Sequence, residues 1–289
     1  FNIKHTKMES SISTLINMDN ESFERLSNYV TRNYGIKLPF SKKSMLESRL
    51  NKKVRSLGMR TYSAFLDFIF SDEGKQDELF QVIDLITTNK TDFFREAAHF
   101  SFLSNEFLPS YQRDIGRNNI KIWSAGCSSG EEPYTIIMTM EEYKKRHTDI
   151  TYSILASDVS TRVIQTAHQG IYDLEKIEPV PIELKRNYFL RSKTNPNIVR
   201  IKPQNRKKIQ FKRINLMDNH FGLNKADFDI IFCRNVLIYF DKQTQERVIN
   251  KFCSHLKPGG LLFLGHSESI IGLQVPLKQI RPTVYRYEG

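Results

Sequence analysis

Four short apolar runs constrain the fold of this chain more than any other feature. They read IKIWSAG (120–126), YSILASD (152–158), FDIIFCRN (228–235) and LLFLGHSE (261–268), the last after the turn LKPGG. A helical pattern follows the first from about Pro133, and another, STRVIQTAHQG, follows the second. Short buried strands alternating with helices specify a parallel sheet and the α/β class. All four runs end in small or polar groups: SAGCSSGEE, ASD, CRN and GHSE. In an open α/β sheet, ligands sit beyond the carboxyl ends of the strands. The chemistry of this chain is therefore expected there.

The first part of the chain has a different rhythm. Residues 19–34 read as a helix capped by Asp19 or Asn20, with Glu21 and Glu24 at its positive end, Phe23, Leu26 and Val30 on one face, and Gly35 as its stop. Residues 41–57 predict a second helix, capped by Ser41, with an apolar stripe of Leu46, Leu50, Val54 and Leu57. Lys42, Lys43, Arg49, Lys52, Lys53 and Arg55 fall largely off that stripe. Residues 61–70 and 77–87 read as two more helices. The expected organisation is a small all-α domain over 1–88, a linker at about 87–100, and an α/β domain over 89–289. The stretch 184–213 interrupts the α/β rhythm. Its segments YFLR, NIVRIK and KIQFKR read as short antiparallel strands, an inserted β-subdomain, and VYRYEG reads as a closing edge strand.

At 289 residues the chain can bury a real core, and its 39% hydrophobic and 26% charged content is that of a soluble globular protein. No run of about 18 apolar residues predicts a membrane span. FNIKHTKMESS lacks the apolar centre of a signal peptide and begins without Met. Cys127, Cys233 and Cys253 show no metal spacing and no even disulfide set, which points to a reducing cytoplasm. The histidines form no metal motif in sequence, and no metal is expected. The net charge of +11 suits an acidic partner: nucleic acid, a membrane surface or an acidic protein. Residues 184–213 hold eleven Lys or Arg and no Asp or Glu, either a solvated face or a docking surface.

The turn AGCSSG carries Gly126 and Gly130, which let a ligand approach the backbone. It could serve a dinucleotide, another adenosine compound, or simply a tight turn. The next helix opens with Glu131 and Glu132, where a dinucleotide would rest its pyrophosphate. Two carboxylates repel a pyrophosphate and tolerate a cation. That favours S-adenosylmethionine (SAM), although glutamates there also complement a helix dipole. Asp158, at the end of the second run, is placed for ribose hydroxyls or for capping the next helix, a job Ser160 could do instead.

TTNKTDFFRE (87–96), SAGCSSGEEPY, ASD, FCRNVLIYF and LKPGGLLFLGHSES, in this order and spacing, resemble the CheR-type chemotaxis receptor methyltransferases over about residues 19–289. SAGCSSG and LKPGG are general to SAM-dependent enzymes; TTNxTxFFRE with CRNVxIYF is specific. The resemblance implies a Rossmann-like SAM-dependent methyltransferase domain with a small inserted antiparallel subdomain, behind a helical N-terminal domain. It implies methyl transfer from SAM to glutamates of chemoreceptors, giving γ-glutamyl methyl esters and S-adenosylhomocysteine. By matching positions, Asn89, Thr91 and Arg95 would contact or cover SAM. Glu132 would bind it, Asp158 its ribose, and Asn215 and Leu216 its adenine region. Arg234 and Asn235 would lie along it, with Tyr239 near the methyl. Phe93 and Phe94 would anchor their segment by packing.

A glutamate is already ionised at neutral pH and needs no general base. Arg95 and Tyr239 are the candidates for holding the incoming carboxylate, and His266 and Glu268 read as loop-positioning. The implied partner is the cytoplasmic coiled-coil region of chemoreceptors, met by a cytoplasmic monomer recruited to membrane receptor arrays without inserting. Members that bind a receptor C-terminal tail peptide tend to carry Gly-x-Gly in the insertion; this chain has SKTNPN (192–197), which speaks against that contact. Two rivals remain. A nucleic-acid methyltransferase would suit the charge, but CRNVLIYF lacks the Pro-Pro-Tyr-like pattern of amino-methylating enzymes. A non-catalytic SAM-binding module would not need the full residue set.

Overall fold

The computed structural model describes residues 15–74, 77–115 and 118–289, which form two compact units. The first comprises Leu38–Ile86 together with the chain up to Asn28; the second comprises Tyr29–Lys37 and Thr87–Gly289. The division falls within α1 (Asn20–Tyr34).

The first unit also contains α2 (Lys43–Ser56), α3 (Tyr62–Ile69) and α4 (Glu78–Ile86). Asp19 caps α1 by accepting the Ser22 amide at 2.7 Å. Ser41 does not cap α2: Phe40–Lys42 form a 3₁₀ turn that leads into it, and no side chain caps its start. Leu46, Leu50 and Val54 are buried as the stripe predicts. The basic face is partly committed. Arg49 donates to the Leu85 and Ile86 carbonyls, closing the end of α4, and Lys53 pairs with Glu78.

The second unit continues with α5 (Ala98–Phe102), a π-helical turn (Leu103–Phe107) and α6 (Leu108–Ile115). Then come β1 (Asn119–Ala125), α7 (Glu131–Lys144), β2 (Thr151–Asp158) and α8 (Thr161–Gln169). β3 (Ile171–Asp173), α9 (Ile182–Tyr188), β4 (Phe189–Arg191), β5 (Ile198–Ile201) and α10 (Pro203–Arg206) follow. β6 (Ile209–Arg213), β7 (Phe228–Cys233), α11 (Lys242–His255), β8 (Leu256–Leu264), β9 (Leu277–Arg281) and β10 (Val284–Tyr287) complete it.

The large sheet has the order β6-β2-β1-β7-β8-β10-β9. β6, β2, β1, β7 and β8 run parallel, and β10 and β9 are antiparallel additions. Successive residues alternate between two cores. Ile122, Ile230, Phe232, Leu261 and Phe263 face one; Trp123, Ala125, Ile231, Leu262 and Leu264 face the other. Burial on both faces is why the four runs are continuously apolar.

Two strands depart from the sequence reading. KIQFKR is not part of the insertion: as β6 it pairs parallel to β2 at the edge of the large sheet. The small antiparallel sheet is instead β3-β5-β4, with β3 from outside the basic stretch. VYRYEG is not an edge strand either. As β10 it lies between β8 and β9, with Val284 and Tyr285 buried, and β9 forms the edge.

Candidate functional site: carboxylates at the strand switch point

From β1 the chain steps outward through β2 to β6, then returns to the other side of β1 for β7 and β8. The switch point therefore lies between β1 and β7, and it opens at their carboxyl ends. The turn after β1 is built for this place. Gly126 has φ +84° and Gly130, before α7, has φ +99°. A Cβ on Gly126 would stand 2.4 Å from Val236 Cγ2, and one on Gly130 would stand 2.8 Å from the Ala167 Cβ. Both Gly126 and Cys127 donate their amides to the Ser157 carbonyl at 2.8 Å, tying the turn to β2.

α7 begins at Glu131, two residues before Pro133, so both glutamates lie in its first turn. They have different work. Glu131 accepts from Ser129 Oγ at 2.7 Å. Glu132 accepts from Ser124 Oγ at 2.7 Å and pairs with Arg234 Nη1 at 3.2 Å. Burial raises the pKa of both. The same Arg234 pairs with Glu96 Oε2 at 3.0 Å and donates to the Arg95 carbonyl. Burial would raise Glu96 as well. The His266 amide, at 3.0 Å, and the Arg234 charge outweigh it, so Glu96 titrates below the usual carboxylate value. One guanidinium thus serves two largely buried carboxylates, leaving one negative charge uncompensated.

Asp158 accepts the Ser128 amide at 2.9 Å and the Ser160 amide at 3.0 Å, while the Ser160 hydroxyl caps α8. Ser128 Oγ reaches the Asn89 carbonyl at 3.0 Å, so Asp158 and Asn89 meet through one serine. Phe93 is buried against Tyr172 and Phe189, ring centroids 5.0 and 5.5 Å away, and anchors the 87–96 segment. Lys176 Nζ binds the Thr91 carbonyl at 2.9 Å. The backbone is strained here: Phe94, Glu96, Ser128 and Asn235 all have φ between +48° and +59°.

Glu268 organises the loops after β7 and β8. It accepts four backbone amides: Gly265 at 2.6 Å, Leu237 at 2.7 Å, Asn235 at 2.9 Å and Ile238 at 3.3 Å. Burial still raises its pKa against those four donors. Asn235 also reaches Glu96 Oε1 at 3.5 Å.

The remaining predicted residues are more dispersed. Asn215 and Leu216 follow β6 on the same sheet edge. The Asn215 side chain is already engaged, donating to the Asn33 carbonyl at 2.8 Å and accepting the Met217 amide at 3.0 Å. Leu216 is buried. Tyr239 is half-buried in a 3₁₀ turn (Leu237–Tyr239), and its carbonyl accepts the Lys37 amide. Arg95 is half-buried and donates Nη1 to the Lys90 carbonyl at 3.1 Å.

Residues 89–286 match the family described as CheR methyltransferase, SAM binding domain, and residues 21–87 match its all-alpha domain. The chain belongs to the CheR methyltransferase family. It is 40% identical to the chemotaxis protein methyltransferase of Borreliella burgdorferi, covering 94% of this chain and 95% of that one. It is 37% identical to chemotaxis protein methyltransferase 2 of Pseudomonas aeruginosa, over 92% of each chain. The Escherichia coli K12 chemotaxis protein methyltransferase is 36% identical, over 91% of this chain and 89% of that one.

This CheR family member is accordingly a SAM-dependent methyltransferase of chemotaxis. Its residues fit that cofactor. The two positive-φ glycines hold the turn after β1 close against Val236 and Ala167, where no side chain would fit. The charge left over at Glu132, Arg234 and Glu96 suits a cationic ligand. Asp158 closes β2 beside this turn, its two oxygens facing the Ser128 and Ser160 amides. The sequence reading missed Glu96, Ser124 and Ser128 as members of this network. Glu96 is in the family stretch, but nothing local pairs it with an arginine 138 residues away.

Proposed function

We propose that this chain methylates glutamate side chains in the cytoplasmic coiled-coil region of chemoreceptors, forming γ-glutamyl methyl esters during chemotactic adaptation. The observation that carries the reading is the pair of largely buried carboxylates sharing Arg234 at the switch point, a negative seat for a cationic methyl donor. When bound, SAM supplies its methyl: an O–CH3 bond forms from a substrate carboxylate as the S–CH3 bond breaks, and the electron pair stays on sulfur.

The side chains do the rest. Glu132 holds the cationic end of the cofactor and Asp158 its ribose hydroxyls. Gly126 lets the backbone approach, and Asn89, Thr91, Arg234 and Asn235 line the path. Asn215 sets the 214–218 loop beside the adenine, with Leu216 as its apolar contact. Methyl transfer disperses two opposite charges, which water would stabilise apart, so the folded-over 87–96 segment favours reaction by excluding water. Arg95 has N–H groups beyond its bond to Lys90 for gripping a carboxylate bidentately, and the Tyr239 hydroxyl aligns it. The incoming glutamate is its own nucleophile, already ionised.

The chain acts as a monomer at receptor arrays, with its exposed Lys42 and Lys52 and the basic insertion meeting acidic receptor surfaces. Its working division is a helical domain to about residue 88 and a catalytic domain after it.

The test uses methyl-labelled SAM with receptor-containing membranes, and total RNA in a parallel tube, followed by mild base. Label released as volatile methanol from a receptor-sized protein is the expected result. Base-stable label on RNA would overturn the reading. Arg95→Ala should lower kcat about a hundredfold with the fold intact, the scale of a lost positioning contact. Tyr239→Phe should lower it less.

A further inference from the structure

Glu96 has a second set of neighbours, which approach the same Oε2 that Arg234 holds. Its Oε2 lies 3.6 Å from His99 Nδ1 and 4.0 Å from His266 Nε2. The three ligand atoms all lie within 4.8 Å of one another. The two imidazole rings meet edge to face, with centroids 5.4 Å apart. His99 is only 2% exposed. Its Nε2 bonds Thr283 Oγ1 at 2.9 Å, but its Nδ1 has no hydrogen-bond partner. A buried polar atom without a partner is costly and calls for an explanation. With the proton on Nε2, the Nδ1 lone pair faces a carboxylate oxygen, Glu96 Oε2, whose hydrogen bonds come from Arg234 and not from this ring. With the proton on Nδ1, 3.6 Å is too long for a hydrogen bond.

We propose that Glu96, His99 and His266 form a binding site for a divalent transition-metal ion of the zinc class. Two imidazoles and a carboxylate are the ligand set of open zinc sites, with water in the fourth position. Two nitrogen ligands of three disfavour magnesium and calcium, which take oxygen. Ligands about 2.1 Å from a tetrahedral ion stand about 3.4 Å apart, so the cluster must contract by up to about 1.4 Å. His266 can supply that movement, because its side chain is 56% exposed on the loop after β8. Arg234 does not block the site. A ligating carboxylate is ordinarily held by an outer donor, and Arg234 at 3.0 Å is such a donor. Its charge is more than matched by Glu96 and Glu132 together. An ion here would tie the β8 loop to the 94–99 segment, beside the guanidinium that orders the methyl-transfer site. No step of the proposed methylation depends on it.

The full chain, freed of metal, would be titrated with Zn²⁺ against a chromogenic chelator, and separately with Co²⁺ followed by its visible absorption. The expected result is one equivalent bound, with the intense Co²⁺ absorption of a four-coordinate site. His266→Ala should weaken binding at least tenfold and bleach that absorption. His220→Ala, exposed and outside the cluster, should change neither. Glu96→Gln gives a second reading should His99→Ala fail to fold, and it too should weaken Zn²⁺ at least tenfold. Absence of stoichiometric binding, or equal affinity in wild type and His266→Ala with both folded by circular dichroism, would overturn the site.

Discussion

Two carboxylate systems flank the carboxyl ends of β7 and β8, and the two are held by different forces. At the β7 end, Glu96 and Glu132 are held by one guanidinium. At the β8 end, Glu268 is held by four backbone amides. The first arrangement sets a charge and leaves one in excess. The second sets a shape: it fixes Asn235 at φ +59° and the turn that ends at Tyr239. Ion pairing suits a place that must meet a cation, because charge acts on the ligand as well as on the fold. Amide dipoles suit a place that must not move, because they point at one geometry.

The largest expected effect comes from removing the shared cation. Arg234→Met leaves two largely buried carboxylates without their partner, which should cost about 3–5 kcal/mol of stability in urea unfolding. SAM affinity, measured by calorimetry, should collapse with it. Adding Glu132→Gln should restore part of the stability and none of the affinity. Full recovery of both would break the distinction between charge and shape.

Glu268→Ala should come next. Amides that lose a buried acceptor cost about 1–3 kcal/mol each when water cannot reach them, so a total loss of about 2–4 kcal/mol is expected after partial hydration. Turnover should fall more than SAM affinity, because the Asn235–Tyr239 turn loses its register. Glu268→Gln keeps one acceptor oxygen and should fall between wild type and Ala. An affinity loss as deep as that of Arg234→Met would show that the two systems are one.

Acid should separate the carboxylates further. Glu132 has a raised pKa, so the fold holds its proton more tightly than the unfolded chain does. It neutralises while pH is still above 4.5, which relieves its burial cost and removes charge from the site. Glu96 has a lowered pKa; its contribution is complete above 4.5 and is lost as pH falls below it. SAM affinity should therefore weaken on acidification before the fold does, as read by calorimetry with circular dichroism in parallel. Glu132→Gln should flatten the affinity profile. Coincident loss of affinity and fold in the wild type would contradict the assignment.

The smallest effect probes the glycine turn after β1. Gly126→Ala places a Cβ against Val236 at a positive φ and should cost about 1–3 kcal/mol. Val236→Ala should relieve the contact part and leave the backbone part. A melting curve resolves the two.

Much of this was legible in order of chain. The four apolar runs became β1, β2, β7 and β8, and their carboxyl ends share one edge, because burial on both faces leaves its mark on every residue of a strand. Glu132, Asp158 and Arg234 were legible as family positions, and Ser160 as a cap through its place before a helix. Other features were not legible. KIQFKR and VYRYEG read correctly as strands but not as to their neighbours, since an alternating pattern says that a strand is covered and not by what. Glu96 looked like the last letter of a motif, and His99 and His266 looked like two unrelated histidines.

The sequence by itself determined the first four helices and the central strands, the all-α and α/β character of the two parts, and the edge of the sheet that carries chemistry. Those follow from periodicity, capping and small residues, each read within a few positions of the chain. Only the tertiary structure decided which strand lies beside which, that one arginine serves two largely buried carboxylates, that Glu268 gathers two loops, and that a glutamate and two histidines converge. Those are encounters between groups far apart in sequence, and their partners are chosen by the packing of the whole sheet rather than by any local pattern.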